Sequence, residues 1–283
     1  MALKGRQPET IQKRLKMFMF GGAGVGKTTA AISFPNCYLI DTEKGAENSQ
    51  YLKRLKENNG AIYQTCDFNE IMQEVKSLLT EKHEYKTLII DPLTTVYSDL
   101  VDHYAMKMGT DFGRHTVEAN KQLKRLLSML TRLDMTVIVT SHAKTEYGAN
   151  MAVIGTTFDC YKKLDYLFDL VIEIKKLGLK RFGVVKKTRI ATFDEAEEFD
   201  FSYNEIAKRY GRDVLEADIK LESLATKKHL QELYHLLDVL RVPDDVVAKW
   251  LTKANCDCFE DMSQDLISKC IASLREKIEQ KSK

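Results

Sequence analysis

The sequence predicts an α/β protein: a mostly parallel sheet flanked by helices, followed by a small C-terminal helical module. Three observations carry this expectation. Short apolar runs alternate with helical patterns through the first two thirds of the chain. A Gly cluster stands between the first apolar run and the first helical pattern. From Leu224 onward only helical spacing is found.

Taken in order, Leu15–Phe20 (LKMFMF) reads as a buried strand ending at the Gly cluster. Lys27–Phe34 reads as a short helix stopped by Pro35. Tyr38–Asp41 (YLID) is a second strand. Asp67–Glu81 puts Ile71, Val75, Leu78 and Leu79 on one helical face. Thr87–Asp91 (TLIID) is a third buried strand, His115–Leu133 an amphipathic helix and Met135–Thr140 (MTVIVT) a fourth strand. Leu170–Ile174 and Arg181–Lys187 complete the strands, and a short helix follows at Tyr203–Tyr210. The tail reads as three helices, Lys228–Leu240, Asp244–Ala254 and Gln264–Glu279, the second started by Pro243. The expected divisions are an N-terminal tail 1–14, a core 15–190, an acidic linker segment 191–223 and the helical module 224–283.

Composition narrows the class. Of 283 residues, 44% are hydrophobic and 30% charged, which is globular rather than disordered. The 43 Lys and Arg against 41 Asp and Glu leave a formal charge of +2, which excludes a polycation. That sum hides blocks. Lys175, Lys176, Lys180, Arg181, Lys186, Lys187 and Arg189 run without an acid, and an acidic stretch answers from Asp194. Strand alternation sends neighbours of the basic run to opposite sides, so it is not expected to form one patch. The N-terminal segment MALKGRQPETIQKRLK lacks the apolar core of a signal peptide, and no apolar run reaches the length of a membrane span. The six cysteines are scattered without a C-x-x-C and read as reduced thiols of a cytoplasmic protein.

The chemistry centres on Gly21-Gly22-Ala23-Gly24-Val25-Gly26-Lys27-Thr28, which fits G-x-x-x-x-G-K-[ST] with a strand before it and a helix after. Glycines let successive N–H groups turn toward one anion. Gly21 to Thr28, with the following Thr29, are thus expected to hold ATP. Lys27 bridges the β- and γ-phosphates and the Thr28 hydroxyl binds Mg²⁺. Asp91, ending its apolar strand, is the expected second Mg²⁺-binding group. Pro92 follows Asp91, so the base that activates water must come from elsewhere. Glu43 follows the second strand and opens onto the same sheet edge, although its spacing fits a solvated loop carboxylate equally well.

The segments GGAGVGKTTAAISFP, YLIDTEKGA, TLIIDPLTT and VIVTSHAK together resemble the RecA-like recombinase core. More narrowly, the chain looks like the phage-encoded ATPases related to Sak-type single-strand annealing recombinases, over residues 14–222. The resemblance implies that Glu43 is the catalytic base and that His142 senses the γ-phosphate. It implies DNA contact through Met108–Thr116 and Lys144–Phe158, with Phe112, Arg114, His115, Lys144 and Tyr147 as the contact residues. It places among Lys186, Lys187 and Arg189 a cationic finger for a neighbour's γ-phosphate, and hence implies a homo-oligomer.

Residues 224–283 hold ten basic and ten acidic residues, no footprint for DNA, and are read as a protein-interaction module. Trp250 stands at helical spacing from Val246 and Val247 and is expected in that module's core. The functional expectation is an ATPase, DNA-stimulated, that binds single-stranded DNA and couples hydrolysis to annealing or strand exchange. A small-molecule kinase and a nucleotide-gated adaptor recruiting a protein partner are the rival classes. A kinase usually needs an Arg-rich lid, whereas the basic run here reads as strand.

Overall fold

The computed structural model describes residues 13–254 and 256–281. Most of the expected N-terminal tail 1–14 therefore lies outside the described residues. The elements run β1 (Lys16–Gly21), α1 (Lys27–Ala31), β2 (Cys37–Asp41), α2 (Ser49–Glu57), β3 (Ala61–Gln64), α3 (Phe68–Thr80), β4 (Thr87–Asp91) and α4 (Leu93–Met108). Next come α5 (Arg114–Arg132), β5 (Thr136–Tyr147), β6 (Val153–Phe158), β7 (Leu170–Leu177), β8 (Lys180–Thr188) and β9 (Glu198–Asp200). The chain closes with α6 (Tyr203–Tyr210), α7 (Arg212–Glu216), α8 (Lys227–Val239), α9 (Asp244–Ala254) and α10 (Gln264–Lys281). None of the described helices is long and apolar enough to cross a membrane.

The chain is α/β, with a mostly parallel sheet flanked by helices, as its alternating patterns predict. It divides into two compact units. The first holds residues up to Ile71, Glu84–Asp102 and Asp134–Ile219; the second holds Met72–His83, His103–Leu133 and Lys220 onward.

All nine strands belong to the first unit, in the order β3-β2-β4-β5-β1-β7-β8-β9, with β6 paired to β5. From β3 to β7 the pairing is parallel. β8 and β9 extend the edge antiparallel. The central strands are buried on both faces, which is why they read as continuous apolar runs. On one face Leu15, Met17 and Met19 pack with Ala30 and Ala31 of α1 and with Ile206 and Ala207 of α6. The alternate residue Phe18 packs edge-on against Phe158 and lies beside Phe168 on the other face.

Two registers place the strand ends. Gly21 pairs with His142 and Asp41 with Asp91, so the ends of β1, β2 and β4 align with His142 of β5 along one edge of the sheet. β5 lies between β1 and β4.

Several strand expectations need extending. The fourth strand, expected to end at Thr140, continues to Tyr147, and Lys144–Phe158 is a β-hairpin of β5 and β6 instead of a loop. Beyond Ala143 its residues are exposed and paired only to β6, so the buried apolar signal stops there although the strand does not. The expected loop Met108–Thr116 is also shorter. Arg114, His115 and Thr116 are the first turn of α5, entered from Gly113 in a left-handed conformation (φ 68°). The helices α2 and α4 and the strands β3, β6 and β9 are additions to the expected elements, although α4 buries Leu93, Val96 and Leu100 at helical spacing. β3 is only half-buried and α2 is largely exposed.

Among the described residues, the second unit is built of helices joined by turns, with one isolated β-bridge between Leu224 and Ser263. Leu233, Phe259, Met262, Ile267, Ile271 and Leu274 form its C-terminal core, and Trp250 packs against them, as its spacing predicts. Asp261 is buried between Lys76 at 2.6 Å and Arg125 at 2.6 Å, and Arg132 donates to its carbonyl. Those cations hold its carboxyl down at about 2 despite burial. Leu79 accepts from the Glu222 N–H at 2.8 Å, and Arg132 pairs with Glu222 at 2.9 Å. Residues of α3 and α5 are thus part of the same compact unit as the C-terminal helices.

Candidate nucleotide site

The loop after β1 turns tightly. Gly24 (φ 72°) and Gly26 (φ 93°) adopt left-handed conformations that a side chain resists. Gly21 is constrained by space: a Cβ there would stand 2.5 Å from the Ile174 carbonyl oxygen of β7. The Lys27 ammonium donates to the carbonyls of Gly21 at 2.9 Å and Gly22 at 3.0 Å, lying across the loop it closes. Burial pushes its pKa down, opposed by Asp91 and then Glu43.

Asp91 is buried at the end of β4 and accepts from the Thr140 hydroxyl of β5 and from the Thr28 side chain. Burial pushes its carboxyl up, against those two hydrogen bonds and the Lys27 charge. The insertion of β5 between β1 and β4 is what supplies Thr140.

Glu43 is positioned from several sides. Asp41 accepts from the backbone N–H groups of Glu43, Gly45 and Ala46, at 3.4, 3.2 and 2.9 Å, which pins the loop that carries it. The Thr95 hydroxyl donates to Glu43 Oε1 at 2.7 Å, and His142 Nε2 lies 3.2 Å from the same oxygen. His142 is held in turn: its N–H donates to Thr94 Oγ1 at 2.9 Å, and Thr94 donates to the Asp159 carbonyl at 2.9 Å.

Lys27, Thr28, Glu43, Asp91 and His142 border one cavity of about 460 Å³, together with Asp41. Sequence reasoning missed Asp41, Thr94 and Thr95. The only available sign was the pair of threonines directly after the TLIIDPL segment.

The remaining expected residues lie elsewhere. Lys144 pairs with Asp159 at 3.0 Å and Tyr147 is exposed, both on the β5–β6 hairpin of the first unit. Phe112, in the second unit, is 96% exposed at the turn before α5 and adopts φ 54°. Arg114 is exposed, and His115 is half-buried with its Nδ1 unsatisfied. Of the three finger candidates, Lys186 pairs with Glu173 at 2.9 Å. Lys187 donates to the carbonyls of Asp165 and Phe168, and Arg189 donates to that of Tyr166 and pairs with Asp169.

A family model described as an AAA domain matches residues 13–200, the span that carries the sheet, the glycine loop, Asp91 and Glu43. The chain belongs to that family. The chain is also similar to a solved structure, the crystal structure of the RadB recombinase, at 16% identity and a TM-score of 0.45, covering 65% of this chain and 84% of that one. No curated protein matches the chain.

Proposed function

We propose that this protein is a RecA-like ATPase that binds single-stranded DNA and couples ATP hydrolysis to annealing or strand exchange, acting as a homo-oligomer. The reading extends to kinship with the phage-encoded Sak-type annealing proteins. The observation that carries it is the convergence of Lys27, Thr28, Asp91, Glu43 and His142 on one cavity at the end of the parallel sheet.

The residues present fit Mg²⁺ and ATP. The Thr28 hydroxyl and the Asp91 carboxylate are adjacent hard oxygen donors, already hydrogen-bonded to each other. Thr28 and Asp91 would hold Mg²⁺, which would supply positive charge against the charge that develops in phosphoryl transfer. Lys27 leaves the carbonyls of Gly21 and Gly22 to meet the β- and γ-phosphates. Glu43 accepts a hydrogen bond from the attacking water and orients it, while Thr95 and His142 hold the carboxylate in place. When nucleotide is bound, His142 turns its one N–H from Glu43 to a γ-phosphate oxygen and the Thr95 hydroxyl keeps the carboxylate in place.

β5 offers a route from DNA to this site. The strand carries Thr140 against Asp91, then His142 against Glu43, then Lys144 and Tyr147 on the exposed hairpin. A base stacked on Tyr147 and a phosphate drawing Lys144 from Asp159 shift the same strand that holds His142. Phe112, Arg114 and His115 supply a second DNA contact. One of Lys186, Lys187 and Arg189 reaches a neighbour's γ-phosphate. Residues 224–283, with balanced charge, serve a protein partner.

The test is the ATPase rate with and without single-stranded DNA, read beside sedimentation of the protein in each nucleotide state. Stimulation by DNA together with a nucleotide-dependent oligomer is expected. Absence of both DNA binding and stimulation in every nucleotide state removes the recombinase reading.

A further inference from the structure

We infer that Arg181 and Lys176 bind the phosphate chain of the nucleotide held by their own glycine loop, so that nucleotide binding is completed within one chain. The inference rests on the nucleotide reading of the glycine loop and adds two residues and a direction to it.

The basic run does not behave as alternation alone predicts. β7 and β8 fold back on each other through a turn at Gly178 (φ 60°), and the register sets Lys176 directly opposite Arg181. Directly opposed residues of an antiparallel pair share a face, so these two cations stand side by side. Like charges in that position destabilise a hairpin unless an anion lies between or above them.

The face they share meets the glycine loop. A Cβ placed on Gly26 would stand 2.1 Å from Arg181 Nε, so the guanidinium lies directly against the Cα of the glycine that precedes Lys27. Arg181 Nε is buried and has no hydrogen-bond partner among the described residues. A buried charged donor without an acceptor is costly, and a phosphate oxygen satisfies it. The space beside it is a second cavity, of about 440 Å³, bordered by Gly26, Lys27, Thr28, Thr29, Lys176 and Arg181, with Arg54 at its rim. Among the described residues, none that lines it is acidic. A planar guanidinium, an ammonium and the backbone N–H groups of a glycine loop around one cavity are the donor set of a polyphosphate site.

Of the other five cations of the run, four are committed elsewhere: Lys180 to Asp200, Lys186 to Glu173, Lys187 to two backbone carbonyls and Arg189 to Asp169 and the Tyr166 carbonyl. Lys175, next to Lys176 on β7, is exposed on the opposite face, so the run splits into a pair that faces its own loop and five residues that do not.

The experiment is a titration of the full chain with a fluorescent ADP analogue and Mg²⁺, over a range of protein concentrations down to those at which sedimentation shows a monomer. The wild type is expected to bind with a Kd independent of protein concentration. Arg181→Ala weakens binding about 10-fold or more and Lys176→Ala about 3-fold, while Arg181→Lys recovers part of the loss. Arg181→Gln, which removes the guanidinium that lies on Gly26 but keeps a polar side chain, is the companion variant, and thermal melts of each confirm the fold. Wild-type affinity in the folded Arg181 variants overturns the inference alone. Affinity that appears only on association, or that wild-type subunits restore to Arg181→Ala, overturns binding within one chain. No binding by the wild type removes the nucleotide reading, and this inference with it.

Discussion

The two sides of the glycine loop are electrostatic opposites. On one side Asp41, Glu43 and Asp91 share a cavity with His142. On the other, Lys176, Arg181 and Arg54 line a cavity that no acid among the described residues borders. Lys27 and Thr28 border both. A net charge of +2 across 283 residues conceals this separation completely. The difference teaches that the loop acts as a divider. Acids on one side suit a cation and a polarised water, and cations on the other suit the phosphate chain.

Four substitutions sharpen or break that division. Lys27 belongs to both cavities, so Lys27→Ala has the largest effect, with nucleotide affinity falling about 100-fold or more by calorimetric titration. Glu43→Gln tests the acidic side alone. Turnover falls on the order of 100-fold while Mg²⁺–ATP still binds, and undiminished phosphate release removes Glu43 from the mechanism. Thr95→Val leaves Glu43 in place but deletes the hydroxyl 2.7 Å from its Oε1. Steady-state kinetics are expected to show kcat reduced about 10-fold with KM little changed, and a change in KM alone assigns Thr95 to binding instead. Arg54 is exposed at the rim of the cationic cavity. Arg54→Ala lowers affinity only about 2-fold, and raising the salt concentration erases the difference.

The site was legible in proportion to how local its geometry is. Gly21 to Thr28 form a contiguous pattern whose flanking strand and helix are contiguous too. Asp91 ends a strand whose limits, Thr87–Asp91, match the apolar run residue for residue. Where exposure replaces burial the pattern fades. β5 passes from buried to exposed at His142, and the apolar rhythm gives no sign that six more residues, His142 to Tyr147, stay extended. Asp41 looks like an ordinary strand end, yet its carboxylate gathers three backbone N–H groups of the loop that carries Glu43.

The basic run is the sharpest case. Along a single strand, alternation disperses charge, and that is all a one-dimensional reading contains. Across a hairpin, register recombines it, and Lys176 meets Arg181 although four residues of turn and strand lie between them. The helical tail shows the same limit. Its own core of Leu233, Phe259 and Ile267 follows from helical spacing. That Asp261 is buried between Lys76 and Arg125 does not, because those partners lie more than a hundred residues earlier.

By itself, then, the sequence determined the class of fold, the strand–glycine–helix turn and the identity of Lys27, Thr28 and Asp91, since each depends on neighbours in the chain. Tertiary structure alone decided three things. It brought Thr95 and His142 onto one oxygen of Glu43, laid Arg181 on Gly26, and joined α5 to the C-terminal helices in one compact unit. The physical reason is common to all three. Each depends on which strands or helices lie side by side and in what register, and burial of distant surfaces sets that choice, not the spacing of adjacent residues.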